Sequence, residues 1–159
     1  MTQHDAAQAA GFRPELRAFT VLLQQSVHAA LEYLNRRTPH RYTGLFRFDG
    51  DALHNEALFD RNQPSVQQGT VAPLATTYCA LVGRVQAPVH FPDAALDPRV
   101  QGLVQYPARS YCGVLIHDGL GHPYGTLCHY DLQRCQERTT DIPLLEAAAA
   151  LFYQYLRRA

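Results

Sequence analysis

Apolar residues recur at spacings of three and four from Leu16 through Phe19, Leu23, Val27, Ala30 and Leu34. That spacing draws one apolar stripe along a helix, so it predicts a single long helix from Pro14 to near Arg37, stopped by Pro39. The stripe can lie on a sheet of the same chain or against a second copy of itself. The period then changes to two. Residues 42–48 (YTGLFRF) are aromatic and partly alternating, Asp49-Gly50-Asp51 has turn chemistry, and residues 52–59 (ALHNEALF) return as the second arm of a hairpin. Residues 61–69 are polar and turn-rich and read as a loop.

Helical spacing resumes over residues 73–85 through Leu74, Tyr78, Leu81 and Val85, and a short strand at 88–91 is closed by Pro92-Asp93. Asp97-Pro98-Arg99 opens a short helix or loop that ends near Pro107. Residues 109–117 (RSYCGVLIH) and 124–130 (YGTLCHY) are two further strands around the connection 118–122 (DGLGH). Thr139 or Thr140 caps a last helix with Pro143 in its first turn. Its apolar face is Leu144, Leu145, Ala148, Leu151, Phe152, Tyr155 and Leu156. This order predicts an α+β fold. An antiparallel β-sheet carries the N- and C-terminal helices on one face and the shorter middle segments on the other. Residues 1–13 read as a flexible leader and 14–159 as one domain.

Composition narrows the chemistry. The 159 residues carry 14 basic side chains, all of them Arg, against 14 acidic ones, for a formal net charge of zero. Without a basic excess, neither nucleic acid nor a membrane surface is an expected partner. Without lysine, Schiff-base chemistry and an ordinary phosphate-binding P-loop are excluded. Gly119-Leu120-Gly121 sits in a hairpin connection with no helix after it and reads as a turn. No apolar run reaches the roughly 18 residues of a membrane span. The four cysteines (Cys79, Cys112, Cys128, Cys135) form no C-x-x-C motif, and the N-terminus has no apolar signal core. The expected setting is the cytoplasm, with reduced thiols.

Residues 77–100 (TYCALVGRVQAPVHFPDAALDPRV) and 108–131 (ARSYCGVLIHDGLGHPYGTLCHYD) resemble a GAF domain, a small-molecule sensor module related to PAS domains. The resemblance rests on a helix, a strand ending in Pro-Asp, the Asp97-Pro98-Arg99 turn, and a hairpin. The hairpin has Tyr111, Gly113, Val114 and Leu115, then Gly125-Thr126-Leu127-Cys128 with Asp131. Leu115 falls near the place where many members have Pro-Leu. The likeness spans most of residues 14–158 but is motif-like only in the second half. It implies an antiparallel β-sheet of five or six strands, with short helices and loops over a pocket on the face opposite the terminal helices, and members of the family bind cyclic nucleotides, linear tetrapyrroles, haem, nitrate, 2-oxoacids or nothing known. A covalent bilin does not suit residues 97–108, which lack the cysteine of phytochrome-like members. A cyclic nucleotide does not suit a chain without the family's lysine, and an anion would fall to Arg99. No particular cofactor is implied.

Taking the pocket side from the family and the facing from alternation, the expected ligand-binding residues are Tyr78, Cys79, Asp93, Arg99, Ser110, Cys112, Thr126, Cys128 and Tyr130. Arg99 is either an anion partner or a clamp on Asp97 or Asp93. If Asp118 and His122 pair across the turn, Cys112 lies opposite Cys128, within disulfide reach in principle. Cys79 would be packed and Cys135 exposed. His117 and His129 would share one hairpin face and the two thiols the other, which splits any metal set.

Two functions follow. One is a non-enzymatic sensor, in which a small ligand signals through the terminal helices to a partner or a homodimer. The alternative is a thiol-dependent reductase or redox switch on Cys112 and Cys128, resembling free methionine sulfoxide reductase.

Overall fold

The two hairpins meet edge to edge. The computed structural model describes residues 13–102, 107–135 and 140–158. In it β1 (Tyr42–Asp49), β2 (Ala52–Asp60), β3 (Val71–Pro73), β4 (Val89–Phe91), β5 (Ser110–His117) and β6 (Pro123–Asp131) form one antiparallel sheet in the order β3-β2-β1-β6-β5-β4. β1 pairs with β6 from Tyr42 opposite Tyr130 to Arg47 opposite Gly125, joining strands from the two halves of the chain. β3 falls where the sequence reads as loop and helix start. Three residues carry no usable period, and what makes them a strand is pairing with β2. Its Pro73 sits on the sheet edge, where a missing N–H costs no ladder bond.

Among the described residues four α-helices complete the fold: α1 (Pro14–Gln25), α2 (Val27–Asn35), α3 (Tyr78–Val85) and α4 (Ile142–Arg158). The long first helix expected from the stripe is two. Ser26 is extended (φ −165°, ψ 154°), its N–H still donates to the Leu22 carbonyl, and its hydroxyl accepts from the Ala29 N–H at 2.9 Å. One residue therefore ends α1 and caps α2, and the apolar stripe turns to follow the sheet. Ser26→Ala is expected to cost about 1 kcal/mol in urea unfolding, and Ser26→Asp to restore most of it. α4 likewise takes a cap different from the one expected. The Asp141 carboxylate accepts from the Leu144 N–H at 3.2 Å and is also gripped by the Arg13 guanidinium, while Thr139 lies outside the described residues. So do residues 1–12 of the expected leader and 103–106 of the crossover. The rest of the crossover holds a 3-10 turn at Ala94–Leu96, started by the Asp93 carboxylate on the Ala95 N–H.

α1, α2 and α4 bury one sheet face, with Phe19 and Phe152 edge to face at 5.2 Å between ring centroids. Ala147, Ala148 and Ala149 are fully buried, and their small side chains let α4 lie close on β5. On the other face α3 and the 3-10 turns cover a second cluster that includes Leu53, Leu58, Val82, Phe91 and Leu115. Terminal helices on one side and short middle segments on the other match the expected α+β architecture. Among the described residues, no helix is long and apolar enough to cross a membrane.

Candidate functional site

The register of β5 on β6 decides which side chains meet. Asp118 N–H does reach the His122 carbonyl, at 2.8 Å, but a bulge follows at once: His117 opposes Pro123 and Ile116 opposes Gly125. Tyr124 is the extra residue, and its ring packs edge-on against Tyr153 of α4 at 5.2 Å. Beyond the bulge Cys112 opposes His129 and Cys128 opposes Gly113, so the expected Cys112–Cys128 pairing is overturned. A one-residue slip moves a strand's side chains to the opposite face. Tyr111, Leu115, Cys128 and Tyr130 therefore join the α3 side, while Cys112, Val114 and Leu127 join the terminal-helix side. Cys112 and His129, not His117 and His129, make the matched pair.

A cavity of about 350 Å³ opens between the α3-side sheet face and its cover. Its floor is Tyr42 and Phe46 of β1, Leu53, Asn55 and Leu58 of β2, Tyr111 of β5, and Cys128 and Tyr130 of β6. Residues 69–72, the start of α3 and Pro107 rise around it. Tyr42 and Tyr130 stack at 4.8 Å, and Tyr78 stands edge-on to Tyr111 at 5.4 Å while its hydroxyl donates to the Ala108 carbonyl at 2.6 Å. Among the described lining residues none is charged; the polar ones are the asparagine, threonines, tyrosines and thiols. A hollow of about 540 Å³ on the far side of the 74–77 turn is larger, but exposed side chains such as Asp51, Ala75 and Arg84 line it. The buried aromatic floor marks the first as the candidate site.

Of the nine residues expected at the site, Tyr78, Cys79, Cys128 and Tyr130 line the cavity, and Thr126 reaches it through a bond to Cys79. The other four lie elsewhere. Arg99 clamps Asp97 at 2.8 Å and Asp93 is held by Arg109 at 2.9 Å, so neither is drawn to the cavity. Ser110 donates to the Gln133 carbonyl and accepts from the Cys135 thiol at 3.3 Å, which makes Cys135 a buried residue and not an exposed one. Cys112 is buried under the terminal helices, where burial pushes its thiol up to about 11 despite a hydrogen bond with Thr140. That thiol is a poor nucleophile. Reading from the sequence missed Tyr42, Phe46, Leu53, Asn55, Leu58 and Tyr111. Alternation places Tyr42 and Phe46 on one face of β1, but only the β1–β6 register says which face that is.

The thiols that share the cavity are Cys79 and Cys128. Cys79 stands in the first turn of α3; its sulfur accepts from the Thr126 hydroxyl at 3.0 Å and lies 3.6 Å from the Tyr111 hydroxyl. Cys128 follows Thr126 by two residues and faces the same cavity. Gly113, opposite Cys128, leaves room for the Tyr111 ring to fold back: a Cβ there would fall 2.6 Å from two of its ring carbons. Burial alone would raise both thiols. At Cys79 the bonds from Cys128, Thr126, Tyr111 and its own backbone outweigh burial and lower it, while Cys128 and Tyr111 rise well above their ordinary values, chiefly through burial. Among the described residues no group of three His, Cys, Asp or Glu side chains is placed to hold a metal ion.

On the other face lies a second polar group. Asn35 donates to Thr43 Oγ1 at 2.9 Å, which leaves the Thr43 hydroxyl hydrogen for His129 Nδ1 at 2.6 Å. His129 stacks on His40 at 5.9 Å, and His40 Nδ1 is 2.7 Å from the Thr38 hydroxyl. Both rings are kept neutral by burial, which lowers His40 to about 4 and His129 well below its ordinary value.

Among solved structures, the GAF domain of the Acinetobacter phosphoenolpyruvate-protein phosphotransferase superposes with a TM-score of 0.70 at 18% identity, covering 91% of this chain and 92% of that one. The free methionine-R-sulfoxide reductase of Neisseria meningitidis, solved with its substrate, gives 0.67 at 18% identity over 94% and 90%. The type II enzyme of Thermoplasma acidophilum gives 0.62 at 19% over 90% and 96%. At these identities the likeness is one of fold. No curated protein matches the chain. The GAF domain family model matches residues 22–156, most of the chain, and with the sheet order, the two-sided core and the roofed cavity it shows that the chain belongs to the GAF domain family.

Proposed function

We propose that this GAF domain is a sensor whose cavity takes an uncharged, flat small molecule and whose terminal helices carry the response. The observation behind this reading is the lining: aromatic rings and neutral polar groups on the sheet floor, with the nearby arginines engaged by carboxylates. An anionic ligand would be desolvated there without a cation to meet it. Transmission has a physical route. On β6, Cys128 and Tyr130 face the cavity while Leu127 and His129 face the terminal helices, so movement of the strand is felt on both sides. A ligand that binds one arrangement better shifts the population toward it. In this reading the output passes through the outer faces of α1 and α4, to a partner or a second copy, in a cytoplasm that keeps the thiols reduced.

Native mass spectrometry of the purified protein, beside the same sample denatured, tests this. The expected result is a mass excess lost on denaturation that belongs to a neutral molecule. Leu53→Trp, which fills the cavity, should weaken its retention about tenfold or more while leaving the circular dichroism unchanged. Recovery of a phosphate or carboxylate ligand would overturn the reading.

The second reading, a thiol-dependent reductase, is favoured by the presence of two thiols, Cys79 and Cys128, at the cavity. Turnover of methionine-R-sulfoxide with a dithiol reductant would establish it, and absence of turnover in the reduced protein would remove it.

A further inference from the structure

We propose that Cys79 and Cys128 are a redox-active dithiol in the cavity floor, with Cys79 the attacking thiol and Cys128 the resolving one, responsive to a small hydroperoxide. The inference stands on the arrangement of the two thiols and needs no ligand in the cavity. Four features carry it. Both sulfurs line the cavity, so a molecule the size of hydrogen peroxide reaches them without unfolding. The Thr126 hydroxyl that Cys79 accepts from, at 3.0 Å, stands two residues before Cys128 on the same face of β6, which brings Cys79 to the stretch of strand that carries Cys128. Cys79 has donors that suit a thiolate, the Thr126 hydroxyl at 3.0 Å and the Tyr111 hydroxyl at 3.6 Å. The other two thiols are placed differently, Cys112 under the terminal helices and Cys135 against Ser110.

The chemistry balances on these groups. The Cys79 thiolate attacks the terminal peroxide oxygen, the O–O bond breaks, and the leaving alkoxide or hydroxide takes a proton to become alcohol or water. Cys79 is then a sulfenic acid. The Cys128 thiol attacks the Cys79 sulfur, an S–S bond forms, the S–O bond breaks, and the departing hydroxide leaves as water with the Cys128 proton. The two thiols are oxidised by two electrons and the peroxide is reduced by two. The product ties the start of α3 to β6 across the cavity floor, and a thiol reductant reverses it.

The test is intact mass spectrometry of the full chain after exposure to a small molar excess of hydrogen peroxide, before and after dithiothreitol. The expected result is loss of two hydrogens, regained on reduction, unchanged in Cys112→Ser and Cys135→Ser and absent in Cys79→Ser and Cys128→Ser. No Arg or Lys lies between Arg109 and Arg134, so trypsin leaves Cys112 and Cys128 in one peptide. Chymotryptic mapping of the wild-type protein assigns the bridge without relying on a variant that fails to fold. Oxygen additions with no loss of hydrogens, no reaction at all, or a bridge mapped to Cys112 or Cys135 would overturn the proposal.

Discussion

Gly125→Ala is expected to destabilise the protein by about 3 kcal/mol, at the top of the usual range for overpacking. In urea this is a fall of roughly 1–3 M in the unfolding midpoint. Gly125 is paired on both sides, with Arg47 of β1 and Ile116 of β5. A Cβ there would run into the Phe46 carbonyl oxygen and come within 3.0 Å of the Arg47 Cα. Both obstacles are backbone, so no rotamer change relieves them. The only escape is to separate β1 from β6, the pairing that joins the two hairpins and floors the cavity. Gly44→Ala is the useful contrast, because its new methyl meets only the edge of the Phe46 ring and one side-chain nitrogen of Asn55. A midpoint unchanged in Gly125→Ala would show that the β1–β6 approach is looser than the register requires.

The second large effect is a loss of stability in mild acid. His40 is held neutral by burial, which lowers it to about 4 from an ordinary value of 6.5; His90 and Arg61 push the same way and Asp131 opposes them. His129 moves in the same direction through burial, then through His40 and Arg61. The unfolded chain takes up protons below the ordinary value that the folded one refuses, so stability falls as pH drops from 7 toward 4. For His40 the loss reaches about 2 kcal/mol by roughly pH 5, and His129 adds to it. The buried Nε2 of His40 has no hydrogen-bond partner among the described residues, so a proton there would arrive unpaired. Carboxylates held down by arginines, such as Asp60 and Asp141, lose their contribution only at lower pH, which keeps the two windows apart. Urea midpoints at pH 7 and pH 5 measure the effect, and His129→Gln should remove its share of the loss while leaving that of His40. Equal midpoints in the wild-type protein would show that the two rings are not kept neutral.

Much of this was legible in the residues. The stripe from Leu16 to Leu34, the alternation at 42–48 and 109–117, and the apolar face of the last helix are local patterns. Each reports which side of its own segment is apolar. They determined the α+β class, the antiparallel sheet and the sides taken by the helices, while the pocket was implied only by the family resemblance. Side-chain pairing was decided by the tertiary structure. Cys112 lost its place opposite Cys128 because one residue, Tyr124, is extra in the β5–β6 ladder; its ring packs on Tyr153, almost thirty positions further along the chain. Arg99 and Asp93 were settled in the same way, by carboxylate and guanidinium partners that only the folded crossover brings within reach. A strand's period of two says which residues share a face. Which face meets which layer depends on register, and here a one-residue bulge beside the hairpin turn shifts it.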